Sequence, residues 1–80
     1  MCQEYISKDQ LLKNLGQNIK RIRLAQNVSQ EELAFRINSA RNFVGCIERA
    51  EKSPTIVTLS RISYALNVKL SDLVDGIDCA

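Results

Sequence analysis

The sequence predicts an all-α fold built from five helices, and three observations predict it. Apolar residues recur at steps of three and four along most of the chain, the period of one helix face. Strand formers and breakers are scarce, with two tyrosines, two phenylalanines, no tryptophan and one proline. Serines and asparagines punctuate the apolar runs where helices would start and stop. Eighty residues allow one domain with a modest core and leave no room for a separate effector-binding domain.

Leu12, Leu15, Ile19 and Ile22 mark one apolar stripe on a first helix from about Asp9 to Gln26, weakened but not ended by Gly16. Asn27 and Val28 then precede SQEE, where Ser29 as N-cap and Glu32 at the third helical position form a capping box that opens a second helix. Leu33, Ala34 and Ile37 give it a short buried face, and it stops near Asn38, a residue tolerant of left-handed backbone angles. A turn of two or three residues follows, and Ser39 or Ala40 opens a third helix that runs to about Ala50, with the proline of KSP just beyond. Leu59, Ile62 and Leu66 define a fourth helix over about residues 56–66, ended by Asn67. Val68 and Leu70 return to the core, and Ser71 caps a short fifth helix, DLVDG, that terminates at Gly76. Residues 1–8 read as an N-terminal extension, 9–76 as the domain and 77–80 as a tail, with fraying expected at both ends.

The net charge of +2 says little, but its distribution says more. All 11 Lys and Arg fall within residues 8–69, beside only Asp9, Glu31, Glu32, Glu48 and Glu51, so that stretch carries 11 − 5 = +6. A basic body suits a polyanionic partner, and equally an ordinary solvated face. Cys2, Cys46 and Cys79 are odd in number, widely spaced and without histidine, which fits neither a disulfide framework nor a zinc site. Nothing resembles a signal peptide and no apolar run approaches about 18 residues, so a soluble cytoplasmic protein without a membrane partner is expected. With no histidine, no base beside a cysteine and no glycine-rich phosphate loop, the chain is expected to be no enzyme and to need no cofactor or metal.

The third helix is unusual. Gly45 sits between Val44 and Ile47, costing about 1 kcal/mol against alanine in a helix interior. Ala40, Val44 and Ile47 share one face, while Arg41, Asn42, Gly45, Cys46 and Arg49 fall on the other, with no acid among them. Arginine presents two donors to guanine and asparagine pairs with adenine, so this face carries the residue types that base edges and phosphates require. Gly45 then marks a place where the helix must sit close to a groove wall, the other reading being a close helix packing contact. Two short helices joined by a tight turn in a small basic domain point to a DNA-binding helix-turn-helix.

Residues 15–74 resemble the phage repressor and Cro family of helix-turn-helix domains, the XRE-like group, in its small stand-alone form. The matching residues are Gln30, Leu33 and Ala34 in SQEELA, Ile37, then Arg41, Val44, Ile47, Glu48 and Arg49 in ARNFVGCIER, followed by Pro54, Leu59, Ile62, Ala65 and Leu66. The resemblance implies a five-helix lambda-repressor-like fold with the helix-turn-helix at about residues 30–50. It implies base readout by Ala40, Arg41, Asn42 and Cys46, and backbone contact by Gln30 near a phosphate. Ser29, Phe43, Gly45, Arg49, Lys52 and Ser53 complete the expected backbone set. An ion pair between Arg23 and Glu48 is implied too, whose alternative is an exposed and energetically minor bridge. The chain departs from the family pattern at Asn38, Ser39 and Ala50; the last stands where glycine is usual, so the third helix either runs on toward Glu51 or ends with strain. Cys46 admits a redox-sensor reading as well as that of a small residue fitting the groove. Phe43 admits both a DNA contact and partial packing against the second helix.

A domain this small covers too few base pairs for selectivity, so a symmetric homodimer on an inverted repeat of double-stranded DNA is expected. Val57, Leu70, Leu73, Val74 and Ile77 are the candidate interface residues, with burial in the monomer core as their alternative, favoured for Leu70 and Leu73. The expected function is a sequence-specific transcriptional regulator. The subgroup it looks most like is the controller proteins of restriction-modification systems, since both are bare five-helix domains with Arg-Asn opening the recognition helix. A phage-type repressor, an antitoxin, and from a different class a protein-interaction module that has lost DNA binding are the rival readings. RNA polymerase is a further candidate partner.

Overall fold

A computed structural model describes residues 5–79, and five helices follow one another along them: α1 Lys8–Ala25, α2 Gln30–Arg36, α3 Phe43–Glu48, α4 Ile56–Ala65 and α5 Leu70–Leu73. No strand occurs among the described residues. Readings that fall on residues 1–4 or 80, including that of Cys2, lie outside them. Cys46 is a free thiol, whereas Cys79 is disulfide-bonded, a pairing that the odd number and wide spacing of the cysteines did not suggest.

The capping chemistry starts the helices much as their sequences dictate. Ser7, Ser29 and Thr55 each accept a hydrogen bond from the amide three residues on, at Gln10, Glu32 and Thr58 respectively. Only half of the expected capping box forms at α2, because the Glu32 carboxylate pairs with Arg36 instead at 3.0 Å. Ser71 is not a cap: it lies inside α5, whose N-cap is Lys69, with the Asp72 carboxylate accepting from the Lys69 amide at 3.0 Å.

Four helices end by one device. Asn27, Asn38, Ala50 and Asn67 all lie at positive φ, between 55° and 62°. After each, the next amide reaches back to a carbonyl inside the helix: Val28 to Arg23, Ser39 to Ala34, Glu51 to Cys46 and Val68 to Ser63. This is the Schellman closure, which satisfies terminal carbonyls at the cost of one left-handed residue. Asparagine bears that conformation readily; alanine does so with strain. Ala50 therefore ends α3 rather than letting it run on, as its φ of 62° records.

The third helix is shorter than its sequence suggests. It begins at Phe43, not at Ser39 or Ala40, and residues 37–42 form an irregular connection in place of a two- or three-residue turn. Ser39 spends its hydroxyl on the Ala34 and Ala40 carbonyls, so it caps nothing downstream, and α3 is entered through a second turn in which the Phe43 amide bonds the Ala40 carbonyl.

Ile19, Leu33, Val44, Ile47, Ile62, Leu66 and Leu73 form the fully buried centre, drawing on every helix. α1 lies across α3, and Gly16 makes that crossing possible: a Cβ there would stand 2.6 Å from the Glu48 carbonyl oxygen and 2.8 Å from that of Ile47. Both are backbone atoms that cannot step aside. Asn14 and Asn18 of α1 donate to the carbonyls of Ile77, Leu73 and Asp75, which fastens the end of the chain to the first helix.

Candidate nucleic-acid interface

Packing of α1 and α2 against α3 fixes the position of the sequence-predicted site residues. At the C-terminal end of α3 the Glu48 carboxylate turns inward and meets Arg23 of α1 through two contacts, Nε to Oε2 at 2.7 Å and Nη2 to Oε1 at 3.0 Å. The third arm of the guanidinium donates to the Val28 carbonyl at 2.7 Å, and Gln30 of α2 donates to Glu48 Oε1 at 3.0 Å. The two charged side chains are 6% and 3% exposed, so this is a buried, bidentate, fully hydrogen-bonded pair and not the minor surface bridge that was its alternative. No buried side-chain polar atom among the described residues lacks a partner. Such a pair adds little net stability over an apolar filling, but it fixes the relative placement of α1, α2 and α3.

The opposite side of α3 faces outward. Arg41 and Asn42 lie exposed in the turn just before the helix rather than on its first turn, and Ala40 is exposed beside them. Asn42 occupies the N-cap position without a side-chain capping bond. Cys46 and Phe43 are half-buried; Phe43 packs against the core, in keeping with its packing alternative. Arg49, Lys52, Ser53 and Ser29 are exposed.

Gly45 is buried, but not by a helix. A Cβ there would meet Arg49 Nη1 at 3.0 Å and Gln30 Oε1 at 3.2 Å, the ends of two long side chains held by Glu51 and by Glu48 respectively. The atoms nearest to that Cβ all belong to these two side chains. The close helix packing considered for Gly45 belongs instead to Gly16, whose role no local signal in the sequence disclosed.

Carboxylates also reach this face, which corrects its reading as free of acids. Glu31 of α2 pairs with Arg41, Nε to Oε2 at 2.8 Å, both side chains being well exposed. Glu51 pairs with Arg49 through Nε to Oε2 at 2.9 Å and Nη2 to Oε1 at 3.3 Å. The hydrogen bond and charge of Glu51 raise the Arg49 pKa, and the same hydrogen bond and charge of Arg49 hold the Glu51 carboxyl below the ordinary carboxylate range. No cluster of metal-ligating side chains occurs among the described residues.

The candidate interface residues separate by burial. Leu73 is fully buried and belongs to the core, which removes it as a surface residue. Leu70, Val74 and Ile77 are half-buried against that core. Val57 is 59% exposed, and α4 also exposes Ile56 and Tyr64, which the sequence reading passed over because their steps along α4 look like an ordinary solvent face.

The chain matches a family model described as helix-turn-helix over residues 19–73. It is 39% identical over 61 residues to the control protein C.BamHI of Bacillus amyloliquefaciens, covering 75% of each chain. It is 35% identical over 60 residues to the immunity repressor protein of Bacillus phage phi105, covering 75% of this chain but 42% of that one. Among solved structures, the restriction-modification controller protein C.AhdI of Aeromonas hydrophila superposes with a TM-score of 0.76 at 32% identity, covering 78% of this chain and 94% of the other.

Proposed function

Since the chain belongs to the helix-turn-helix family of DNA-binding transcriptional regulators, we propose that it acts as a homodimer on an inverted-repeat operator, as a controller of a restriction-modification system. The observation that carries this reading is the outward face of α3. Arg41 and Asn42 stand exposed just before α3 and Cys46 lies half-buried within it, while Gln30 and Arg49 flank Gly45. Arg41 and Asn42 have the donor and acceptor sets for guanine and adenine edges. Ser29, Gln30, Arg49, Lys52 and Ser53 line the flanks where a sugar-phosphate strand would run.

The controller role is supported by the likeness to C.BamHI and C.AhdI, at 39% and 32% identity. The exposed Ile56, Val57 and Tyr64 on α4 support a dimer surface away from α3. Its role is regulatory rather than catalytic, exercised in the cytoplasm; no helix among the described residues is long and apolar enough to cross a membrane. RNA polymerase is the natural further partner if bound protein activates a promoter.

Selection of bound duplexes from a random pool, followed by sedimentation on the selected site, tests the proposal. Two protomers on half-sites about one helical turn apart are expected. One protomer on a single unrepeated site would contradict it. On the selected site, Arg41→Ala or Asn42→Ala should each cost about 1–3 kcal/mol per half-site and relax preference at one or two positions.

A further inference from the structure

We propose that Glu51 is a built-in competitor for Arg49, occupying its guanidinium in the free protein as a phosphate would and releasing it when DNA docks. The proposal rests on the reading of Arg49 as a contact to the DNA backbone. Nε and Nη2 of Arg49 meet both carboxylate oxygens of Glu51, at 2.9 and 3.3 Å. The same planar pair of donors is what a phosphate engages.

The pairing is a product of the turn, not of helix geometry. Residues two apart on a helix do not face each other. Arg49 and Glu51 meet because Ala50 between them adopts a φ of 62°, and because the Glu51 amide is anchored to the Cys46 carbonyl at 2.8 Å. The guanidinium is thereby laid back along α3, with Nη2 at 3.8 Å from Cys46 Sγ and Nη1 above Gly45. An arginine held flat in this way covers the surface that DNA must reach. Docking has to exchange the carboxylate for a phosphate, which weakens the grip on any duplex and leaves Glu51 facing the strand.

The Arg36–Glu32 pair supplies the contrast. It is an ordinary i,i+4 bridge on α2, and Arg36 donates onward to the Ala65 carbonyl of α4, away from α3. Glu51→Gln and Glu32→Gln change the net charge equally, so they separate a local exchange from a general gain in positive charge.

The experiment measures binding of a random-sequence duplex at low salt by fluorescence anisotropy, for wild type, Glu51→Gln, Glu32→Gln, Arg49→Ala and the Arg49→Ala/Glu51→Gln double variant. Glu51→Gln is expected to bind about two- to fivefold more tightly, the range that loss of one exposed ion pair permits. It should exceed Glu32→Gln, and the gain should vanish in the Arg49→Ala background. Tightening no greater than that of Glu32→Gln, or tightening that survives removal of Arg49, overturns the proposal. Weakened binding by Arg49→Ala with no gain from Glu51→Gln removes the proposal alone, whereas an unaffected Arg49→Ala removes the reading of Arg49 as a DNA contact as well.

Discussion

The two sides of α3 use the same residue types for opposite ends. On the inner side, a glycine of α1 admits the backbone of α3 at contact distance and Glu48 is clasped by a buried arginine. On the outer side, a glycine lies beneath side-chain tips and Arg49 is held by an exposed carboxylate. Glu48 and Arg49 are neighbours in the chain, yet one is part of the scaffold and the other faces solvent. What separates them is the rigidity and exposure of what each meets, not the residue type. An inner change should therefore register in stability, and an outer change in binding.

The largest expected effect is at the inner ion pair. Glu48→Ala leaves the Arg23 guanidinium buried without its counter-charge, and breaking such a pair costs about 3–5 kcal/mol. Denaturant unfolding should show that loss, while Glu51→Ala on the outer side leaves the midpoint unchanged. Equal effects would mean that the two pairs are not distinguished by burial.

Next comes Gly16→Ala. A methyl placed 2.6 Å from the Glu48 carbonyl must push α1 and α3 apart, and such overpacking costs about 1–3 kcal/mol or somewhat more. A variant as stable as wild type would show that the helices can separate at no cost.

Much of this was legible in the sequence. The apolar stripes of α1, α2 and α4 gave their helices because period and burial coincide there, with Leu15, Ile19, Leu33, Ile62 and Leu66 all in the core. Asn38 announced a helix end through its tolerance of left-handed angles, and Asn27 and Asn67 end theirs by the same conformation. The start of α3 did not show, because Ser39 has the chemistry of a cap and only the fold directs its hydroxyl back to Ala34. Gly16 was equally silent: its reason lies in the end of α3, some thirty positions later, and local propensity cannot see it. The acids at the outer face were missed for the same cause. Glu31 arrives from α2, and Glu51 is turned back by Ala50. The residues of the candidate site are proposed from their chemistry, while their restraints became visible only in three dimensions.

A smaller effect, of opposite sign, is expected at the junction of the two sides. Ala50→Gly relieves a left-handed alanine and should stabilise by about 1 kcal/mol, the scale of that penalty. For a domain of this size that is about 4–8 °C in melting temperature. No change would mean that the strain at Ala50 is offset elsewhere.

The smallest stability effect, and the most direct test of the account, belongs to Gly45→Ala. The added methyl first meets the side-chain ends of Arg49 and Gln30, which need give only slightly, and alanine gains up to about 1 kcal/mol over glycine in a helix interior. The variant is therefore expected to melt at or above the wild-type temperature, yet to bind the selected operator more weakly, because the methyl occupies the surface that DNA approaches. Thermal melting and one binding titration on the same preparation decide the matter. A lowered melting temperature with unchanged affinity per folded molecule would contradict the account, placing Gly45 with Gly16 among the packing glycines.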